Sequence, residues 1–191
     1  LLAVRGGAVV HTEDGSTILD IGRLAAETDS EAKAATHVDA KFDVKSATYA
    51  YDTHVAHVAV DPETAVVKIL DYVAVGDVGR IVNPLLAEGQ FVGGAVQGIS
   101  ATFLDELAYD ESGQLLTGTF ADYLVATSTD APAVRAVVLE EAPSKSNPLG
   151  VKGAGEGGII CTGAAIANAV ADALSALGVT INALPLSLDR L

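Results

Sequence analysis

The sequence has no methionine, no tryptophan and a single cysteine among its 191 residues. The lone cysteine, Cys161, excludes a disulfide within the chain and a metal site built from clustered cysteines, and it fits a reducing compartment. We expect Cys161 to be a small, buried apolar residue instead. Because position 1 is Leu1 and methionine is absent throughout, we expect a fragment, a processed piece or one subunit of a larger assembly.

Positive charge is also scarce in this sequence. It has 11 Lys and Arg against 25 Asp and Glu, which gives a net charge of −14 at pH 7. Such a chain would be repelled by phosphates, so nucleic acid is excluded as a partner. No uninterrupted apolar run has transmembrane length, and no basic segment precedes an apolar stretch as in a signal peptide. We therefore expect a cytoplasmic protein with neither nucleic acid nor a membrane as partner.

The first part of the chain, residues 1–50, has the pattern of a small separate region. A hairpin is predicted over residues 4–19, followed by a short helix capped by Asp20. Residues 28–43 are polar and rich in alanine without a clear period, which indicates a connector. The remaining residues, 51–191, are expected to form the main domain.

Residues 51–191 combine strand patterns with helix patterns. Strands are predicted at 51–60, 65–75, 115–123 and 133–139, and helices at 83–107 and 159–177. Asn83 suits the N-cap of the first helix and Pro84 suits its first turn. This order of elements predicts an α+β fold in which antiparallel hairpins pack with two long helices.

The segment 147–158 (NPLGVKGAGEGG) is the richest in glycine and contains one carboxylate, Glu156. Glycine lets the backbone approach a bulky ligand closely. The helix that follows presents unpaired N–H groups at its start. Glu156 is therefore either a general base beside a ligand or a charge that stabilises the helix dipole. The residues by themselves leave both readings open.

Two other binding hypotheses arise from short patterns. Gly153-x-Gly155-x-x-Gly158 formally matches a dinucleotide fingerprint, which requires a strand that runs directly into its first glycine. Prolines interrupt the segment before Gly153, so this context is not predicted. His54 and His57 are three apart in a predicted strand and therefore lie on opposite faces. We expect no protein-ligated metal.

Several motifs together resemble the C-terminal part of the molybdenum-binding large subunit of the xanthine dehydrogenase and aldehyde oxidase family of molybdenum hydroxylases. The resemblance covers residues 50–186. The motifs are 77–84 (DVGRIVNP), 89–98 (GQFVGGAVQG), Tyr109-Asp110 with Gly113-Gln114, Asp122-Tyr123, and 147–158 (NPLGVKGAGEGG). The resemblance implies the second half of a molybdenum-cofactor-binding domain.

The family resemblance also implies roles for particular residues. Glu156 corresponds to the family's active-site glutamate, the general base. Gln97 corresponds to a glutamine that contacts the cofactor. Gly153, Gly155 and Gly157 would let the backbone lie against that cofactor, whose metal is held by the pterin dithiolene rather than by protein ligands.

The implied function is oxidation of an aldehyde or an N-heterocycle with oxygen derived from water. The implied cofactor is molybdopterin or its cytosine dinucleotide form. The upstream cofactor loops, the iron–sulfur motifs and the flavin domain of the family are absent here. We therefore expect the upstream half of the subunit, the [2Fe–2S] clusters and FAD on partner chains or domains. The alternative is a non-catalytic fragment or binding module that packs on a partner subunit.

Overall fold

A computed structural model describes residues 1–26 and 39–188 of the chain. It divides into two compact units, Leu1–Asp43 and Val44–Leu191. The boundary expected from the sequence lies at residue 50, close to this division. Each unit is described separately below.

The first unit is a three-stranded antiparallel sheet with one short helix. Its strands are β1 (Leu2–Arg5), β2 (Ala8–His11) and β3 (Thr17–Asp20), in the order β1-β2-β3. Helix α1 (Ile21–Ala26) follows directly, and the Asp20 carboxylate accepts a hydrogen bond from the Arg23 backbone N–H, as a capping residue does. The predicted hairpin and cap are confirmed, and β1 adds a third strand. Most of the predicted connector, residues 28–38, lies outside the described residues.

The second unit is built on a mixed three-stranded sheet. Strands β4 (Tyr51–Val60) and β5 (Val67–Asp77) form the predicted antiparallel hairpin, and β6 (Val134–Leu139) pairs with β5 in parallel. The parallel pair departs from the expectation of antiparallel hairpins alone. Parallel neighbours require a long crossover, and helix α2 (Pro84–Phe103) lies within it.

The prediction of a strand over residues 115–123 is wrong. Only an isolated bridge between Tyr109 and Leu115 forms there. The Asp110 carboxylate accepts hydrogen bonds from the Ser112 and Gln114 backbone N–H groups, and the Thr119 hydroxyl donates to Asp122. These local side-chain hydrogen bonds give the backbone an alternative to a sheet ladder.

Helix α2 begins as predicted and ends earlier. The Asn83 side chain accepts a hydrogen bond from the Leu86 backbone N–H, and Pro84 occupies the first turn. The helix stops at Phe103, short of the predicted residue 107. The Leu104 N–H makes the last regular bond, to the Ser100 carbonyl, and the Asp105 N–H donates to that same carbonyl instead of continuing the helical pattern.

The predicted terminal helix is interrupted. It consists of a single turn, α3 (Gly157–Ile160), then α4 (Thr162–Ala173) and a 3₁₀ turn (Ser175–Leu177), with a break at Cys161. Helix α4 packs against β4, and α2 packs against β6, so both long helices cover one face of the sheet. The core between these layers contains Tyr72, Ala74, Val78, Phe91, Ala95, Ile99, Ile166, Val170, Leu174 and Leu186. The α+β class is confirmed.

Candidate functional site

The first half of the glycine segment, residues 147–152, is fixed by hydrogen bonds. The Asn147 amide donates to the Val151 carbonyl at 2.9 Å and accepts from the Val151 N–H at 3.1 Å. The Gly150 carbonyl accepts from the Arg80 N–H at 3.0 Å. Gly150 itself has a φ of +73°, a conformation that favours glycine. This half of the segment is thereby held against the end of β5.

A buried ion pair anchors the end of that half. The Lys152 ammonium lies 3.1 Å from the Asp77 carboxylate, and their side chains are only 6% and 10% exposed. Burial raises the pKa of Asp77, but hydrogen bonds from the Gly79 N–H, Lys152 and the Ala142 N–H outweigh it, so the pKa lies below its usual value. The Lys152 ammonium also lies 4.8 Å from the centre of the Tyr51 ring. The sequence analysis missed this pair.

The second half, residues 153–158, is open at two of the three predicted cofactor positions, Gly153 and Gly155. A Cβ atom added to Gly153 or Gly155 would meet nothing within 4 Å. The backbone N–H groups of Gly153, Ala154 and Gly155 donate to no acceptor among the described residues. Because backbone donors are rarely left unpaired in a finished assembly, these N–H groups are available for water or for a ligand.

Glu156 stands at the N-cap of α3, and its side chain is exposed. Its carboxylate makes no capping hydrogen bond, and it has no other partner in the described part of the chain. The Glu156 carbonyl, by contrast, accepts from the Ile159 and Ile160 N–H groups. The backbone of Glu156 is therefore fixed while its carboxylate stays unpaired. A helix of one turn also has little dipole for that charge to stabilise.

Gly157 differs from the other two predicted glycines because it is buried. A Cβ atom there would lie 2.7 Å from the Phe91 ring and 2.9 Å from the Asp52 carboxylate. Gly158 is equally confined, since its Cβ would lie 2.3 Å from the Phe91 carbonyl oxygen. These two glycines allow α3 to approach α2, which gives Gly157 a packing role that the sequence analysis did not assign.

Helix α2 presents two glutamines beside the glycine segment. The Gln90 amide donates to the Gly155 carbonyl at 2.8 Å. Gln97 follows seven residues later and therefore lies on the same side of the helix, two turns further on. Its side chain is exposed and has no partner among the described residues. The structure thus joins Gln90 to the segment directly and leaves the Gln97 amide free.

A polar cluster lies beneath α3, on the inward face of β4. His54 Nδ1 lies 2.7 Å from the Tyr72 hydroxyl and 3.4 Å from the Thr162 hydroxyl. Two atoms of this cluster, Asp52 Oδ1 and His54 Nε2, are buried without a hydrogen-bond partner in the described residues. An unpaired buried polar atom costs about 1–3 kcal/mol. The alternation of β4 could have revealed this cluster, because it turns Asp52 and His54 inward together.

Burial sets the protonation of the cluster. It lowers the pKa of His54, while the Asp52 charge and the Gly157 backbone raise it in part. His54 Nε2 nevertheless makes no hydrogen bond to the Gly157 backbone. Burial also raises the pKa of Asp52, and it raises that of Tyr72 to about 12. Cys161, half-buried rather than buried as predicted, has its pKa raised by burial first and by Asp52 second.

The described residues contain no group of three or more His, Cys, Asp or Glu side chains that could hold a metal ion. His54 lies inward on β4, and His57 lies on the exposed face, as predicted. Hydrogen-bond donors, by contrast, are available to a ligand in this region. The free N–H groups at residues 153–155 and the free Gln97 amide provide suitable donors.

Comparison with known proteins identifies the family. A family model for the molybdopterin cofactor-binding domain matches residues 2–132. The chain is 40% identical, over 80% of its length, to the gamma subunit of the 6-hydroxypseudooxynicotine dehydrogenase complex of Paenarthrobacter nicotinovorans. It is 42% identical, over 72% of its length, to the nicotine 6-hydroxylase large subunit of the same organism. The chain covers 19% and 17% of these relatives.

Solved structures agree with the sequence relatives. Quinoline 2-oxidoreductase from Pseudomonas putida 86 superposes with a TM-score of 0.85 at 34% identity, over 99% of this chain and 25% of that one. The chain therefore belongs to the molybdopterin cofactor-binding domain family, and the resemblance seen in its motifs is confirmed. It spans about a fifth of the length of the curated relatives it matches.

Two further expectations can be compared with the structure. Strand β6 ends at Leu139, and the following residues reach Gly153 as loop and turn with one isolated bridge at Val151. The strand that the dinucleotide hypothesis requires before Gly153 is therefore missing, and that hypothesis is wrong.

Within residues 1–26 and 39–188, no helix has the length and apolar character needed to cross a membrane.

Proposed function

We propose that this chain supplies the base-bearing half of the active site of a molybdenum hydroxylase. The observation that carries the proposal is the exposed Glu156 carboxylate, which has no partner among the described residues although its backbone is fixed at the start of α3. A general base must be positioned and must have its oxygen atoms free to accept a proton. Glu156 meets both conditions.

The residues around Glu156 would hold the organic part of the cofactor. We assign this role to Gly153 and Gly155, whose backbone is open just before Glu156, and to Gln97 on α2, whose amide has no partner in the described residues. Gly157 has no room for a side chain because its Cα packs against the Phe91 ring, so it would contribute through its backbone groups. When bound, the molybdenum cofactor supplies the redox centre that receives the substrate's electrons. This chain's own part is to orient that group and to accept a proton at the Glu156 carboxylate.

The class of substrate follows from the relatives. Their names refer to nicotine, 6-hydroxypseudooxynicotine and quinoline, and a further relative from Escherichia coli, 33% identical over 89% of this chain, is an aldehyde oxidoreductase molybdenum-binding subunit. We accordingly propose an aldehyde or an N-heterocycle as substrate, with the incorporated oxygen derived from water.

The proposal requires further protein. Several relatives are named as subunits of complexes, and each is four to six times the length matched here. We propose that the upstream half of the molybdenum-binding subunit completes the site, and that iron–sulfur and flavin subunits carrying [2Fe–2S] clusters and FAD remove the electrons. The free thiol of Cys161 is compatible with a cytoplasmic location.

The test is metal analysis and mass spectrometry of the complex purified from its source, followed by Glu156→Gln. We expect molybdenum and a polypeptide that carries the upstream cofactor loops. Glu156→Gln should lower kcat by about 10²–10⁴-fold with unchanged molybdenum content. Glu111→Gln, the same chemical change in an exposed turn, is the control. Full activity in Glu156→Gln would overturn the catalytic assignment. Absence of molybdenum would favour the alternative, a non-catalytic module that packs on a partner.

A further inference from the structure

We propose that Asp52 and His54 are positioning residues for Glu156. Asp52 packs against Gly157, and His54 lies beside the Thr162 hydroxyl that binds the Gly158 carbonyl, so that together they fix the direction in which the neighbouring Glu156 carboxylate points. The inference deepens the proposed function and rests on it. It names residues on β4, more than a hundred positions away in sequence, as a part of the active site that does not touch the substrate.

Contacts on both sides of Gly157 connect the cluster to α3. The Asp52 carboxylate approaches so closely that a Cβ on Gly157 would lie 2.9 Å from its Oδ1 atom. The Thr162 hydroxyl donates to the Gly158 carbonyl at 2.8 Å. The Cys161 thiol lies 3.8 Å from the Asp52 carbonyl oxygen. The single turn that begins at Glu156 is therefore held from β4 at its start and at its end.

His54 is oriented by its neighbours. The Tyr72 ring lies edge-on to it at 82°, with 5.7 Å between ring centres, and the Tyr72 hydroxyl lies 2.7 Å from Nδ1. Whether that hydroxyl donates or accepts, Nε2 on the other side of the ring has no partner among the described residues. The His54 ring is thus oriented with a free buried nitrogen, and the Asp52 carboxylate has a buried oxygen that is equally unpaired. The Asp52 charge acts on His54 although no hydrogen bond joins these two atoms.

The protonation state of this pair would then determine how firmly α3 is held. The titratable groups of the cluster are Asp52 and His54 on β4, Tyr72 on β5 and Cys161 before α4, and from α2 the Phe91 ring packs against Gly157. Tyr72 stays protonated throughout the physiological range because its pKa is about 12. Since burial lowers the pKa of His54 and raises that of Asp52, we attribute changes in the charge of the cluster to these two side chains.

The experiment uses the complete complex with its cofactor and compares His54→Gln, Asp52→Asn and Tyr72→Phe. The control is His57→Gln, a change to the same strand on its exposed face. Four quantities are measured: molybdenum content, kcat and KM, the dependence of kcat on pH, and hydrogen exchange of residues 153–162 relative to α2.

We expect His54→Gln to lower kcat by roughly 100-fold, the effect of a misplacement of about 1 Å, with KM and molybdenum content retained. The pH dependence of its kcat should differ from that of the wild type, because His54 no longer titrates while the proposed base Glu156 is retained. Exchange should increase in residues 153–162 but not in α2. Asp52→Asn, which keeps the shape of the side chain, should act in the same direction. Tyr72→Phe should have a smaller effect because it removes only the ring's hydroxyl partner.

The inference is overturned if His54→Gln and Asp52→Asn match His57→Gln in kcat, in pH dependence and in exchange. It is also overturned if exchange rises equally in α2, since that shows a general loss of stability. Failure of the proposed function looks different: Glu156→Gln would then retain activity, while exchange in residues 153–162 would still report whether Asp52 and His54 hold this segment. If His54→Gln does not fold, Asp52→Asn, which keeps the shape of the side chain, decides the outcome by itself.

Discussion

The two halves of the glycine segment contrast in how they are held. Residues 147–152 are joined by backbone hydrogen bonds to Val78 and Arg80, just after β5, and end in the buried pair of Lys152 with Asp77. In residues 153–156, Gly153, Gly155 and Glu156 are exposed, the N–H groups of 153–155 are free, and the Glu156 carboxylate is unpaired. The first half has its polar groups paired within the fold, whereas the second leaves N–H groups and a carboxylate available to bind a ligand.

The paired half keeps the open half in a defined conformation. A binding loop without supporting contacts would lose its geometry, because open glycines carry a large conformational entropy. The buried pair fixes the point at which the open half begins, and the packing of Gly158 on Gly94 fixes the point at which it ends. The open residues between these points need few contacts of their own.

The largest expected effect on stability comes from breaking the buried pair. Lys152→Met removes the cation and leaves the Asp77 charge buried without it, so unfolding free energy should fall by about 3–5 kcal/mol. Denaturant unfolding of the polypeptide that carries this chain measures this change. Lys145→Met, at an exposed position nearby, should change it by less than about 0.5 kcal/mol. Equal effects of the two substitutions would contradict the anchoring role of Lys152.

A somewhat smaller effect is expected at the contact between α2 and α4, which follows the open half in the chain. A Cβ on Gly98 would lie 2.5 Å from Thr162 Cβ, so Gly98→Ala should cost about 1–3 kcal/mol through overpacking. Gly89→Ala, where nothing lies within 4 Å, should instead raise stability by up to about 1 kcal/mol through helix propensity. Thermal unfolding of the two variants distinguishes them, and a loss in both would show that this contact is not special.

The cluster beneath the open half should make stability depend on pH. Because the pKa of His54 is lowered in the folded state from its usual 6.5, the unfolded chain binds a proton that the folded chain does not. Stability is therefore complete above pH 6.5 and is lost as pH falls below it. Asp52, whose pKa is raised, acts with the opposite sign: its contribution is present below 3.8 and is lost as pH rises through its folded pKa.

The His54 contribution can be isolated by comparing unfolding midpoints of the wild type and His54→Gln between about pH 7.5 and about pH 5.0, an interval of about 2.5 units that includes the usual His value. The wild type should lose more stability than the variant as pH falls. Parallel curves would show that His54 carries no shifted pKa.

The smallest expected effect concerns the open half itself. Gln90→Ala removes the hydrogen bond to the Gly155 carbonyl and should cost about 0.5–1.5 kcal/mol. Gln97→Ala removes an exposed amide that has no partner in the described residues, so unfolding free energy should change by less than about 0.5 kcal/mol. Similar losses in both variants would mean that Gln97 supports the fold rather than a ligand.

The sequence predicts the regular elements well where local signals are strong. Alternation defined β4, and the Asn83 cap with Pro84 defined the start of α2. The parallel position of β6 could not be predicted, because it depends on how α2 crosses the sheet. The strand over 115–123 failed because Asp110 and Thr119 bind their own backbone neighbours, a competition that residue propensities do not capture.

The candidate site was predictable only in part. Family motifs marked Glu156 and Gln97, but their spacing could not distinguish the open Gly155 from Gly157, whose surroundings come from Phe91 and Asp52 elsewhere in the chain. The pair of Lys152 and Asp77 joins residues 75 positions apart, so no local pattern could reveal it. Long-range contacts of this kind determine which half of the segment is open.

The most direct test of the account is the position of Glu156 in a crystal structure of the cofactor-loaded complex. We expect its carboxylate to be the protein carboxylate nearest to the molybdenum without ligating it, with the N–H groups of residues 153–155 and the Gln97 amide turned toward the cofactor. A structure in which Glu156 pairs with a basic side chain of the upstream half, away from the metal, would contradict the central claim.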